Sequence, residues 1–182
     1  MRGGLRAESV SDSVELLLDS AAEEAVRRDW VRLLELGLPS QARHTSESNR
    51  PHITLAAAPA IDGSFDAALR GAVRDLPQEV RFGGLLLFGG GRRTFILVRS
   101  VVVSAALTDL HRRVGDALTG LPGQFATTLT GNWTPHVTLA RGLSANQVGQ
   151  AVAAVQAEPA AATAVAARRW DSSARVTVDL SG

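Results

Sequence analysis

The chain has 182 residues, 45% hydrophobic and 20% charged, with a formal net charge of +1. That size and balance suit one compact globular domain, and so small a net charge argues against general polyanion binding. It contains no cysteine, which excludes disulfides, thiolate metal sites and cysteine nucleophiles. No apolar run reaches the roughly 18 residues of a membrane span. The first residues lack the apolar core of a signal peptide, so a cytoplasmic protein is expected. All 19 basic residues are Arg; as a whole this bias reads as compositional, although Arg forks do suit phosphate.

In chain order, SVELLLD (13–19) alternates Val14, Leu16 and Leu18 and predicts a strand. Residues 20–37 put Val26, Trp30, Leu33 and Leu34 on one helical face, with Ser20 and Glu23 as a capping box and Gly37 as a stop. A polar loop over 38–51 leads to a strand over 52–58. A helix over 64–76 carries Phe65, Leu69, Val73 and Leu76 on one stripe. The strand over 79–90 is interrupted by Gly83 and Gly84, a bulge signal, and Arg92 and Arg93 lie in a turn before a strand over 94–101. A helix over 104–121, a loop over 122–133, a strand over 134–142 and a helix over 144–157 capped by Ser144 follow. Strands over 162–173 and 174–180 form a closing hairpin.

The order strand, helix, loop, strand, helix, strand thus occurs twice, over 13–89 and 94–180, with the last strand left over. Short connections argue against a flexible linker. The expectation is a duplicated α+β chain, one domain over 1–182 made of two lobes that can exchange strands.

Both halves contain one motif: RPHITL at 50–55 and TPHVTL at 134–139. In a strand, residues two apart share a face, so His52 points with Thr54 and His136 with Thr138. The preceding proline fixes φ and limits pairing at the strand's start, which predicts each His at a strand edge or mouth. If the halves pack about a pseudo-two-fold axis, two imidazoles and two hydroxyls line one groove. One neutral and one protonated His supply a base and an acid, and the Thr hydroxyls can donate to non-bridging oxygens. A metal site fits poorly, because neither motif contains a carboxylate and Thr is a poor zinc ligand.

Two His-x-Thr motifs, HITL and HVTL, in a duplicated α+β chain resemble the 2H phosphoesterase superfamily, and within it the 2′-5′ RNA ligase and RNA 2′,3′-cyclic phosphodiesterase group. The stretch TPHVTLAR is especially similar. The resemblance implies a bilobal fold, with two antiparallel sheets facing a central cleft and helices outside. It implies metal-independent, cofactor-free hydrolysis of a 2′,3′-cyclic phosphate, on RNA ends or a small nucleotide, with reversible 2′-5′ ligation as the same chemistry run backwards. Carried onto this chain, His52 and His136 are the catalytic pair, with His136 favoured as base and His52 as acid, while Thr54 and Thr138 hold the phosphate. A non-catalytic nucleotide-binding module using the same cleft is the alternative. A monomer is expected.

Further candidates flank the motifs. Arg141 follows His136 by five residues and so faces away from it on an ideal strand, unless it curls back towards phosphate. Arg50 and Arg43 could contact substrate or be surface charges. Trp133 could stack on a base or pack between lobes. Arg92 and Arg93 could meet an RNA backbone. His44 and His111 read as solvent-exposed bystanders.

Overall fold

A computed structural model describes residues 11–89, 94–156 and 158–181. Arg92 and Arg93 lie outside these residues. The elements in chain order are β1 (Asp12–Leu18), α1 (Ser20–Glu35), β2 (His52–Ala58), α2 (Asp66–Val73), β3 (Gln78–Gly89), β4 (Thr94–Val101), α3 (Ala105–Ala117), β5 (His136–Ser144), α4 (Ala145–Ala154), β6 (Ala160–Asp171) and β7 (Val176–Asp179).

The strands form one antiparallel sheet in the order β2-β1-β6-β3-β4-β5, with β7 paired to β6. Read with β1, β2 and β3 exchanged for β4, β5 and β6, this order is the same backwards. The two expected sheets are therefore joined. β6 pairs with β1 and β3 pairs with β4, so each half lends its third strand to the other, and β3 and β6 then pair over Gln78–Phe82 and Ala160–Ala164. At the far ends of the order, β2 and β5 lie against each other, so the sheet curls until its edges meet.

Helix packing crosses between halves as well: α1 packs on β5 and α3 on β2. One continuous apolar core results, running from Val14, Leu16 and Leu18 through Ile53, Leu55, Leu97 and Leu107 to Val137 and Leu139. Burying such side chains contributes about 1.5–3 kcal/mol each, and here it ties both halves into one packing unit.

Local signals mostly act as read. The Gly83–Gly84 pair is a bulge between the Phe82↔Val101 and Leu85↔Arg99 pairs, and a Cβ on Gly83 would meet Ser100 Oγ at 2.5 Å. Gln147 Oε1 accepts the Ser144 N–H at 3.0 Å at the start of α4. The capping box expected at Ser20 is corrected. Asp19, one residue earlier, caps α1 by accepting the Ala22 N–H at 2.9 Å. Its carboxylate also accepts from the Thr163 N–H, so one anion serves both the helix N-terminus and β6. Glu23 instead pairs with Arg27 and Arg50. Among the described residues, no helix is long and apolar enough to cross a membrane.

Candidate active site

His52 and His136 each begin a strand directly after proline. In both, the imidazole turns back on its own chain. His52 Nδ1 lies 2.7 Å from the Arg50 carbonyl, and His136 Nδ1 lies 2.7 Å from the Thr134 carbonyl. A carbonyl only accepts, so Nδ1 carries a hydrogen in each ring and Nε2 is the nitrogen not bonded to the backbone. A neutral ring then offers an Nε2 lone pair, and a protonated ring an Nε2–H.

One residue past each Thr the strand bulges. Glu15 pairs with Thr54 and Val14 with Ala56, leaving Leu55 as the extra residue. Val98 pairs with Thr138 and Leu97 with Ala140, leaving Leu139 extra. At each bulge a tryptophan from the other half satisfies the Thr carbonyl: Trp30 Nε1 donates to Thr138 O, and Trp133 Nε1 donates to Thr54 O, both at 2.9 Å. These reciprocal bonds tie each motif strand to the other half of the chain. Trp30→Phe should cost about 1–3 kcal/mol, since it leaves a carbonyl without its donor. Urea unfolding of the variant measures this, and an unchanged midpoint would show that the bond does not brace the fold.

The bulge also settles the placement of Arg141. On a regular strand it would face away from His136. The extra residue shifts the alternation by one, and Arg141 joins the cavity face with Nη2 3.5 Å from Thr138 Oγ1. Ala57 takes the corresponding place after the first motif.

A cavity of about 550 Å³ opens onto these side chains. His52, Thr54, His136 and Arg141 line it, with Phe88 and Trp170 among the walls. Phe88 packs edge-on against His136, with ring centroids 4.9 Å apart. Burial pulls the His136 imidazole below the ordinary histidine range. The Thr134 carbonyl opposes that shift, and the positive charges of Arg141 and of His52 add to it. On the other side, Glu15 Oε1 lies 3.5 Å from His52 Nε2, an ion pair when the ring is protonated. Glu15 is buried and held by Ser13 Oγ at 2.6 Å and Arg168 Nε at 2.8 Å.

The remaining predicted residues divide. Trp133 lines the cavity, its ring stacks on His111 of the same half with centroids 4.0 Å apart, and its Nε1 bond to Thr54 O reaches the other half. His111 is not a solvent-exposed bystander: it is only 5% exposed, bonded through Nε2 to the Thr128 carbonyl, and depressed by burial. A helix position followed directly by Arg112 and Arg113 hides that burial from a local reading. Arg50 is not among the cavity residues and forks onto Glu23 at 3.0 and 2.6 Å. Arg43 also lies outside the cavity, on the Leu38 carbonyl. His44 is exposed in the loop before β2. Glu15, Arg168, Phe88 and Trp170 were not singled out by the sequence. Their strand patterns resemble any half-buried strand, and only the non-local pairing brings them to the site. Among the described residues, no cluster of three His, Asp or Glu side chains could hold a metal ion.

A curled antiparallel sheet presenting two His-x-Thr strands to one cavity is the arrangement expected of a 2H phosphoesterase. The model of the 2′-5′ RNA ligase superfamily matches residues 19–178, and the chain belongs to that superfamily. No curated protein matches the sequence. Among solved structures, TT0787 of Thermus thermophilus is similar at TM-score 0.57 and 16% identity, over 94% of this chain and 98% of that one; this likeness concerns the fold. Escherichia coli LigT complexed with 3′-AMP matches at TM-score 0.48 and 15% identity, over 89% and 87% of the two chains. Usb1 of Kluyveromyces marxianus with uridine monophosphate matches at TM-score 0.49 and 11% identity, over 96% and 99%.

Proposed function

We propose that this chain is a phosphodiesterase that hydrolyses 2′,3′-cyclic phosphates, on RNA ends or small nucleotides, by two-histidine acid–base catalysis. The observation that carries the reading is the matched pair of His-x-Thr strands on one cavity, each ring with Nδ1 committed to a backbone carbonyl and Nε2 left for chemistry.

His136, depressed by burial, is the base. Its Nε2 takes a proton from water as the water oxygen bonds to phosphorus. The bond from phosphorus to one ribose oxygen breaks, and that oxygen takes the proton from Nε2–H of His52. Thr54, Thr138 and Arg141 hold the non-bridging oxygens, where negative charge builds up. The same groups run in reverse would join a cyclic phosphate to a ribose hydroxyl, but water at high concentration favours hydrolysis. The near-neutral net charge favours a small nucleotide over a long polynucleotide, which usually calls for a basic stripe.

The test is turnover of a nucleoside 2′,3′-cyclic phosphate with and without EDTA. Equal rates are expected, because acid, base and anion donors all come from side chains. Loss of activity on chelation would count against the reading, and the product isomer identifies which ribose oxygen leaves.

A further inference from the structure

Exchange of the halves maps each position of the site onto a counterpart, and the charges do not follow the symmetry. Glu15 stands opposite Thr54 in its ladder, and Val98 stands opposite Thr138. Three residues beyond each Thr lie Ala57 and Arg141. One histidine therefore has a carboxylate beside it and the other a guanidinium. Val98 is fully buried, so the fold can fill this kind of place with an aliphatic side chain. A carboxylate at the equivalent place is costly to bury unless it is paired. Here Arg168, Ser13 and His52 surround it. Burial opposes ionisation of Glu15, but His52, Arg168 and the Ser13 hydroxyl together hold it below the usual carboxylate range.

We propose that Glu15 is a positioning residue that makes His52 the proton donor, while Arg141 biases His136 to be the acceptor, so that a nearly symmetric site works in one direction. The assignment of donor and acceptor rests on the phosphodiesterase reading; the electrostatic polarisation of the pair does not. His52 faces Glu15 from β1, with Arg168 on β6 bonded behind that carboxylate. His44 and Arg175 line the hollow on its outer side. His136 and Arg141 stand across the cavity on β5. Glu15 is the only anion in this set, so its removal has a predictable sign.

The experiment is an NMR titration of the four histidines in wild type, Glu15→Gln, Glu15→Asp and Arg141→Gln, alongside the pH profile of kcat/KM. In Glu15→Gln the His52 midpoint should fall relative to wild type, because the carboxylate 3.5 Å from its Nε2 is gone, while His111, which lines neither hollow, stays in place. The high-pH limb of the rate profile should move with it, and Glu15→Asp should restore both. Arg141→Gln should raise the His136 midpoint. If Glu15→Gln does not fold, Glu15→Gln combined with Arg168→Gln removes both buried charges, and the His52 midpoint should still fall. An unmoved His52 midpoint in a folded variant overturns the proposal, and lost turnover with that midpoint unmoved would reduce Glu15 to a packing residue. A wild type inactive on cyclic phosphates would count against the phosphodiesterase reading, and the titration would still decide the role of Glu15.

Discussion

Replacing either His52 or His136 with Ala should reduce kcat/KM for a 2′,3′-cyclic phosphate by about 10²–10⁴-fold, the usual contribution of one general acid or base. Both rings are half-buried at strand starts and neither belongs to the core, so the far-ultraviolet spectrum and thermal midpoint should stay near wild type. The two losses should differ in pH dependence. In wild type the low-pH limb reports the base, which must be neutral, and burial places it below the ordinary histidine range. The rate should therefore rise with pH through that limb and fall again as the acid loses its proton, giving a bell. His136→Ala should abolish the low-pH limb and His52→Ala the high-pH limb. Acting as a unit, the two should not be additive, and the double variant should be little slower than the worse single one. Wild-type turnover in either folded variant would end the two-histidine mechanism.

The pattern of elements and the paired His-x-Thr strands were legible because both are local. The strand over 52–58 begins at His52 because Pro51 cannot continue a ladder, and its apolar residues run on to Ala58. What the sequence hid depends on pairing between distant strands. Glu15 sits in an ordinary strand pattern, and only its register against Thr54 brings it to His52. Strand parity alone left open whether Arg141 faces away or turns back to the site, since nothing in TPHVTLAR marks Leu139 as the extra residue of a bulge. Asp19 took the cap from Ser20 because its carboxylate reaches both Ala22 and Thr163, and the second of these is remote in sequence. The joining of the two expected sheets through β3 and β6 has the same origin: strand identity is written locally, but strand partners are chosen by the core as a whole.

Thr54→Val and Thr138→Val should each lower kcat by about 10²-fold, as for loss of one donor to a developing oxyanion. Valine keeps the β-branch that suits a strand and removes only the hydroxyl, so the backbone should hold. The carbonyls that the tryptophans bond belong to the main chain and survive the change. The fall should appear in kcat more than in KM, because charge on the non-bridging oxygens grows towards the transition state and the hydroxyls bind it best there. Thr138 should matter more in the presence of Arg141. With Nη2 3.5 Å from Thr138 Oγ1, hydroxyl and guanidinium can hold the same phosphate oxygen, and a double-mutant cycle between them should show coupling. Thr54 has Ala57 in the corresponding place, so its cycle with Arg141 should be closer to additive. Thr→Ser variants, which keep the hydroxyl and lose the methyl, should retain most of the rate. If Thr→Val and Thr→Ser fall equally, the two threonines are strand formers and the phosphate is held by other groups.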